Sequence, residues 1–233
     1  MKEYIIQRQS IRSYQLEKLP TEVLEKIQQR LDELIPLFDD INYEVRFLDR
    51  VSGLFGVKAP HYLAFYSEEK AGYLENIGFI GQQLSLYLNS LSIGSCWLGV
   101  ARSQEKESTP GFVICLALGY PRGDLFRQLA DFKRKDISKI SNVDNEISQV
   151  VRLAPSAMNL QDWYFYQQDN LIHCYCQIPD FLKARLLGKR MGKIDMGIAM
   201  CHIAAVVTNY KIIKSEEAPD IAGYRYFRSF LLA

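Results

Sequence analysis

The stretch ENIGFIGQQLSLYLNSL, residues Glu75–Leu91, has the clearest periodicity in the chain. Its aliphatic residues recur three or four positions apart, at Ile77, Ile80, Leu84, Leu88 and Leu91. This spacing predicts a long helix with one apolar face. The following Ser92 and Gly94 favour the end of that helix.

A second long helix is predicted from Lys193 to about Val207, and both helices carry an early glycine, Gly78 in the first and Gly197 in the second. Strand-like runs precede the helix in each half of the chain, so the order of elements suggests a duplication. On this pattern alone, a true repeat and two unrelated helices stay equally open.

Alternating or continuous apolar runs around the two helices predict strands. These runs are Tyr43–Leu48, His61–Tyr66, Phe112–Leu118, Trp163–Gln167 and Leu171–Gln177, with an extended aromatic tail at Gly223–Leu231. Shorter helices are predicted from Thr21, as the cap residue, to Leu34 and over Glu146–Leu153. The charged segment Asp124–Asn145 is interpreted as a surface connection.

Length and composition are those of a soluble globular protein. The 233 residues fit one large domain or two packed halves, and 48% apolar with 24% charged residues is an ordinary balance. The formal net charge of +1 argues against nucleic acid as a partner, because phosphate-backbone binding requires a basic surplus. The local basic run Lys133–Lys135 can still bind a single phosphate.

The sequence predicts a cytoplasmic protein without membrane attachment. Its N-terminus, MKEYIIQRQS, lacks the apolar core of a signal peptide, and the apolar run Ile198–Val207 is too short to span a membrane. The five cysteines are odd in number, and Cys174 and Cys176 lack the spacing of a metal or redox pair. They are interpreted as small apolar residues in a reducing compartment.

The first candidate ligand-binding segment is Arg8–Arg12. Its two arginines are four positions apart, so on a helix or tight turn they would face one way. Guanidinium groups bind phosphate through paired, charge-assisted hydrogen bonds. A solvated basic face near the terminus is the alternative, and the spacing by itself favours that alternative.

Two further segments can approach a flat ligand closely. In Leu153–Asn159, Pro155 fixes the backbone, small residues allow close approach, and Ser156 and Asn159 offer polar groups. A plain helix-ending turn is the alternative. In Gly94–Gly99, the final glycine would let a main-chain N–H meet a ligand, and an ordinary connection is an equally open interpretation.

No catalytic side chain and no metal site are predicted. The sequence lacks a Ser-His-Asp set and the HExxH and GxxxxGK[ST] motifs, and its histidines lie in strand-like or apolar helical runs. A bound cofactor would therefore have to carry any redox chemistry.

Taken together, the three segments resemble the nitroreductase family of flavoproteins. The matching motifs are Arg8-x-Ser10-x-Arg12 with Tyr14, Gly94–Gly99, Leu118–Pro121, Arg134-Lys135, and Ala154-Pro155-Ser156-x-x-Asn159-x-Gln161-x-Trp163 with Phe165. The resemblance implies an α+β fold with a central mixed or antiparallel sheet and packed helices. It also implies FMN as the cofactor and NAD(P)H as the electron donor.

One motif departs from the usual order of the family. Ordinary members are homodimers with FMN at the subunit interface, and their Pro-Ser loop comes before the long helix. Here that loop follows it, in the second half of the chain. The resemblance thus implies a fused dimer in one domain of residues 1–233, with pseudo-symmetric halves of about 1–125 and 126–233 and one surviving FMN site.

The resemblance assigns the cofactor contacts residue by residue. Arg8 and Arg12 would face the phosphate or ring edge, with Arg134 and Lys133 completing the phosphate site. Ser10 and Gln9 would meet polar ring atoms, and Leu98 and Gly99 would approach the hydride-accepting nitrogen, where an N–H stabilises charge. The ring would be lined from the other half by Pro155, Ser156, Ala157 and Asn159.

The expected function is ping-pong reduction of small-molecule acceptors, nitroaromatics or quinones, by NAD(P)H through FMN. A different flavin reaction, such as dehalogenation or flavin breakdown, and a non-catalytic flavin or small-ligand binder stay open. A monomer is expected because a fused dimer has less reason to pair, and a further dimer stays possible. The sequence does not distinguish NADH from NADPH.

Overall fold

A computed structural model describes residues 2–53, 57–103, 110–178 and 181–233. The helices are α1 (Lys2–Ile5), α2 (Thr21–Asp32), α3 (Tyr73–Ser90), α4 (Glu146–Arg152) and α5 (Phe181–Ala204). The strands are β1 (Tyr43–Leu48), β2 (Val51–Ser52), β3 (His61–Ser67), β4 (Gly94–Leu98), β5 (Arg102–Ser103), β6 (Gly111–Gly119), β7 (Trp163–Gln168), β8 (Leu171–Gln177), β9 (Tyr210–Ile213) and β10 (Tyr224–Leu232).

The main strands form two four-stranded antiparallel sheets, ordered β1-β3-β6-β4 and β7-β8-β10-β9. The antiparallel pairing and the α+β class are confirmed, but each half has its own sheet instead of sharing a central one. In both halves the chain runs strand, strand, long helix, edge strand, inner strand. The two halves therefore have the same topology.

Helices α3 and α5 pack against each other at the centre of the molecule. Residues along the whole of α3 are buried, including polar Asn76 and Gln82. The helices cross at Gly78 and Gly197, where a side-chain methyl group on either glycine would overlap a backbone carbonyl of the opposite helix. Glycine is required here because only the absence of Cβ allows this close approach.

Two predicted helix starts are wrong. Helix α5 begins at Phe181 and not at Lys193, because glycines and basic residues in its first turns hide the apolar periodicity. Thr21 is the first residue of α2, and Pro20 occupies the cap position without a side-chain hydrogen bond. The other predicted helices and strands agree with the structure to within two residues at their boundaries.

Two connections have more structure than the sequence predicts. Gly94–Leu98 is an edge strand, and Tyr210–Ile213 forms the corresponding edge of the second sheet. The charged segment Asp124–Asn145 is also not confined to the surface. Its Ile140 is fully buried and accepts a 2.8 Å hydrogen bond from the Phe165 amide through its carbonyl oxygen.

The cysteines and histidines have structural surroundings. All five cysteines are free thiols, and four of them are buried. The three histidines bond to neighbouring groups: the Leu19 amide for His61, the Ser229 hydroxyl for His173, and Gln82 with the Val150 carbonyl for His202. In the part of the chain that the structure describes, no helix is long and apolar enough to cross a membrane.

Candidate active site

A cavity of about 250 Å³ lies where the two halves meet. It brings together residues from all three segments that the sequence singled out, and α5 adds a fourth wall. Its lining includes Ser10 and Arg12, Cys96, Trp97, Gly99 and Val100, Pro155, Ser156, Ala157 and Met158, and Met191, Ile194, Asp195 and Ile198. Its volume is close to the lower end for small-molecule pockets, roughly 300 Å³.

The first wall is the segment Arg8–Tyr14, which is extended and not helical. Isolated bridges pair Arg8 with Phe126, Ser10 with Ser95 and Tyr14 with Pro121. The condition under which the four-residue spacing would align the two arginines, a helix or a tight turn, is therefore not met. Alternation along an extended chain places residues two apart on one side, and Ser10 and Arg12 both line the cavity.

Arg8 lies in a cluster of cationic side chains. It is 3% exposed, and its pKa is lowered to about 9, first by burial and then by like-charge repulsion from Arg127, Arg134 and Arg12. Among the described residues, no carboxylate forms an ion pair with any of these four arginines. Within the described part of the chain, the cluster thus concentrates positive charge that lacks an ion-pair partner, and the charge of Asp131 favours the protonated form of Arg127.

Two members of the cluster are held in place by neighbouring groups. Arg134 donates to the side chain of Asn159 and to the Leu153 carbonyl oxygen, 3.2 Å away. The Arg127 guanidinium stacks 3.4 Å from the centre of the Phe132 ring. The Nε atoms of both arginines are buried and have no hydrogen-bond partner within the described part of the chain. Arg127 was not predicted, because it stands alone in a segment interpreted as a connection.

The Pro-Ser loop has an unusual backbone. Met158, Asn159 and Gln161 have φ values of +50°, +58° and +48°, a left-handed conformation that costs free energy for residues other than glycine. Side-chain hydrogen bonds hold the loop in this shape. Gln161 is fully buried, accepts from the Lys135 amide at 2.7 Å and donates to the Arg152 carbonyl at 3.0 Å. Clustered strain of this kind is common at functional sites.

The polar atoms facing the cavity are few. The Ser156 hydroxyl oxygen accepts a 2.9 Å hydrogen bond from the Gln161 amide, so its own proton is free to be donated. The Ala157 amide donates to both carboxylate oxygens of Asp195, at 3.1 and 3.0 Å. Burial raises the pKa of the Cys96 thiol, and Arg12 and Arg8 oppose that rise.

Six of the twelve predicted residues line the cavity: Ser10, Arg12, Gly99, Pro155, Ser156 and Ala157. Arg8, Arg134 and Asn159 belong instead to the basic cluster and its supports. The remaining three residues do not reach the cavity. Gln9 donates its amide to the carbonyls of Asp124 and Phe126, Leu98 is a buried strand residue, and Lys133 is exposed and offers its carbonyl to Asn159.

The wall formed by α5 was missed by the sequence prediction. It contributes Met191, Ile194, Asp195 and Ile198. A signal was present, since Asp195 is an acidic residue next to the apolar run that packs into the core. Among the described residues, no group of His, Cys, Asp and Glu side chains is arranged to hold a metal ion.

Comparison with known proteins identifies the family. Residues 1–207 match a family model described as "Putative TM nitroreductase". The chain belongs to this nitroreductase family, and membership supports a general oxidoreductase function. A search of curated protein sequences gives no match.

One solved structure shows the same fold along nearly the whole chain. A "putative nitroreductase" from Thermotoga maritima MSB8 aligns with 99% of this chain and 93% of its own length, at 22% identity and a TM-score of 0.70. An FMN-dependent nitroreductase from Clostridium difficile R20291 aligns with 63% of this chain and 99% of its own, at 16% identity and a TM-score of 0.46. A "Putative NADH Oxidase" from Clostridium acetobutylicum aligns at 62% and 100%, with 18% identity and a TM-score of 0.44.

Proposed function

We propose that this protein is an FMN-dependent oxidoreductase that uses NAD(P)H to reduce nitroaromatic or quinone acceptors. The observation that carries the proposal is the cavity between the two halves, with a cluster of arginines beside one wall that has no ion-pair partner among the described residues. The cavity suits a flat ring, and the cluster suits a phosphate. FMN combines these two features in one molecule.

The arginine cluster fits a phosphate by its chemistry. Arg8, Arg127 and Arg134 repel one another and are partly or fully buried, so in the absence of an anion they carry a cost of charge desolvation. A phosphate would neutralise them and accept the hydrogen bonds that the buried Nε atoms of Arg127 and Arg134 lack. Arg12 lies between the two regions, because it lines the cavity and also influences Arg8.

The cavity fits the ring system by its shape and its polar groups. Pro155, Ala157 and Gly99 present little side-chain bulk, and Ser10 and Ser156 provide hydroxyl groups for polar ring edges. When bound, FMN would supply the two-electron chemistry, accepting a hydride from NAD(P)H and delivering it to the acceptor. The chain's own residues would bind and orient the ring, and they would exclude water from it.

We further propose one FMN per chain, in a monomeric fused dimer. Both halves have the same topology, but the loop that corresponds to the Pro-Ser loop, at Pro36–Phe38, is built differently. Its Phe38 ring packs edge-on against Phe227, with centroids 6.1 Å apart, and lies under the Arg228 guanidinium. An aromatic side chain thus takes the place of the small residues that leave space at Ser156 and Ala157.

The first experiment is a visible absorption spectrum of the purified protein, with FMN quantified after release by heat. About one FMN per chain, with light scattering giving the mass of one chain, is expected. Two FMN per chain would refute the single site while keeping the cofactor. If neither native nor added FMN binds, a binder of another small ligand becomes the better interpretation. NADH or NADPH oxidation with a quinone then separates an enzyme from a non-catalytic flavin binder.

A matched pair of variants tests the phosphate assignment. Arg8→Met keeps most of the buried bulk and removes one charge from the cluster, whereas Arg50→Ala removes an exposed charge elsewhere. Loss of charge-assisted bonds should weaken FMN binding by roughly 10- to 100-fold in Arg8→Met only. The same variant should melt at a higher temperature than the FMN-free parent, since like-charge repulsion is relieved. Unchanged FMN affinity would refute the assignment.

A further inference from the structure

Asp195 is a buried carboxyl group in the wall of the cavity. It lies on α5, is 4% exposed, and accepts the Ala157 amide proton with both of its oxygens. The residue therefore connects the central helix to the Pro-Ser loop. This connection explains why a hydrogen-bond acceptor is needed at position 195, but it does not explain why the acceptor is an acid.

The other half of the molecule shows that an amide performs the same structural task. Asp195 stands two residues before Gly197, and Asn76 stands two residues before Gly78 at the same crossing. Asn76 Oδ1 accepts the amide protons of Leu37 and Phe38, at 2.7 and 3.1 Å, and so holds the loop at Pro36–Phe38. An ionisable group is thus found at the position that faces the cavity, and a neutral amide serves at its counterpart.

Burial and the negative charge of Asp162 favour the protonated form of Asp195. Burial raises its pKa to about 8, the Ala157 amide opposes the rise, and the negative charge of Asp162 adds to it. The neighbouring Cys176 thiol on β8, which Glu75, Lys193 and Arg225 also influence, has a strongly raised pKa and stays neutral. Arg12 faces the same cavity. At neutral pH the group therefore carries a proton in the wall of the cavity that we assign to the flavin ring.

We propose that Asp195 donates the proton that accompanies hydride transfer to the acceptor, a role that rests on the function proposed above. Reduction of a quinone to a hydroquinone consumes one hydride, which carries both electrons, and one proton. The O–H bond of the Asp195 carboxyl group breaks, and an O–H bond forms on the acceptor oxygen. The resulting carboxylate takes a proton from water before the next cycle, so protons and electrons balance.

The test compares the holoprotein with its Asp195→Asn variant, which keeps the acceptor that Asn76 uses in the other half. FMN content per chain is expected to be equal in the two proteins. Quinone reduction by the pre-reduced parent should slow roughly tenfold per pH unit above pH 8, as expected for loss of a general acid. The rate of the variant should be roughly 100-fold lower at pH 7, the lower end of the usual contribution of proton donors, and independent of pH in this range.

A readout that does not depend on turnover is the infrared band of a protonated carboxyl group. The parent, with or without FMN, should show this band at pH 6 and lose it with a midpoint near pH 8, and Asp195→Asn should lack it. Asp162→Asn should move the midpoint to lower pH, because a like charge has been removed. This second variant keeps the test available should Asp195→Asn not fold.

The outcomes separate this role from the proposed function. If the parent binds no FMN, the proposed function fails, and the infrared titration still reports the state of Asp195. A parent-like rate and pH profile in Asp195→Asn would overturn proton donation, as would an ionised carboxyl group at pH 6. Loss of FMN in the variant would also overturn it, since it would show that Asp195 acts only by positioning the loop.

Discussion

Gly78 and Gly197 contact each other's helices reciprocally at the centre of the molecule. Gly78 lies against the carbonyl of Ile194, three residues before Gly197, and Gly197 lies against the carbonyl of Glu75, three residues before Gly78. Such mutual contacts are what a two-fold axis produces in a homodimer interface. In this chain both partners of the contact belong to one polypeptide, which supports the proposed fused dimer.

Gly197→Ala should therefore destabilise the whole fold. Its methyl group would overlap backbone atoms, which cannot move aside as the end of a flexible side chain can, and overpacking of this kind costs about 1–3 kcal/mol or more. Gly192→Ala on the same helix is the control, because its methyl group would enter open space. That change should stabilise the protein by about 0.4–1 kcal/mol. Urea unfolding of both variants is the measurement, and equal midpoints would contradict the close crossing.

Much of the fold was predictable because its strongest signals are local. The apolar spacing of α3 and the alternating or continuous runs at β1, β3, β6, β7 and β8 reflect burial of one or both faces, and each was predicted close to its observed bounds. The edge strands β4 and β9 were missed. These strands have only five and four residues, which is too short for a clear alternating pattern, and the two longer edge strands, β1 and β7, were predicted.

The candidate site was predictable only where several residues act together in one short segment. Arg8–Arg12 and Ala154–Asn159 were found this way, and both contribute to the site. Arg127 and Asp195 were not found, because each is a single residue that reaches the site through tertiary packing. For Arg127 the adjacent positions do not indicate burial, and for Asp195 the adjacent apolar run indicates burial but not the loop or the cavity that the side chain meets.

Gly99→Ala should weaken FMN binding without unfolding the protein. The added methyl group would lie 2.9 Å from the terminal carbon of Met191, a flexible side chain that can move, and it would occupy part of the cavity. We expect the melting temperature to stay within about 2 °C of the parent, because changes of a few tenths of a kcal/mol shift it only slightly. The affinity for FMN should fall by roughly 10-fold. Gly123→Ala, in open space, is the control and should leave both unchanged. Tight FMN binding by Gly99→Ala would exclude Gly99 from the ring site.

Two buried groups set the pH dependence of stability in opposite directions. Burial lowers the pKa of His202 to about 3. The ring is neutral, accepting from Gln82 at Nε2 and donating to the Val150 carbonyl at Nδ1. The contribution of the neutral ring to the stability of the fold is complete above 6.5, the pKa in the unfolded state, and is lost as pH falls toward 3. The pKa of Asp195 is raised from 3.8 to about 8. Its protonated form contributes fully to stability below pH 3.8, and this contribution is lost as pH rises through 8.

The two effects on the free energy of unfolding oppose each other between pH 3.8 and 6.5. Of these two groups, only Asp195 still changes the stability between pH 6.5 and 8. The melting temperature of the FMN-free parent should therefore decline as pH rises from 6.5 to 8. Asp195→Asn should abolish this decline, because the neutral amide has no charge to desolvate, and its melting temperature should exceed that of the parent by more at pH 8 than at pH 5. The exposed Asp39→Asn is the matched control and should follow the parent. The measurement is calorimetry at half-unit pH steps. If the melting temperature of the parent is constant across this interval, or if that of Asp195→Asn declines in parallel, then Asp195 ionises at no cost to the fold.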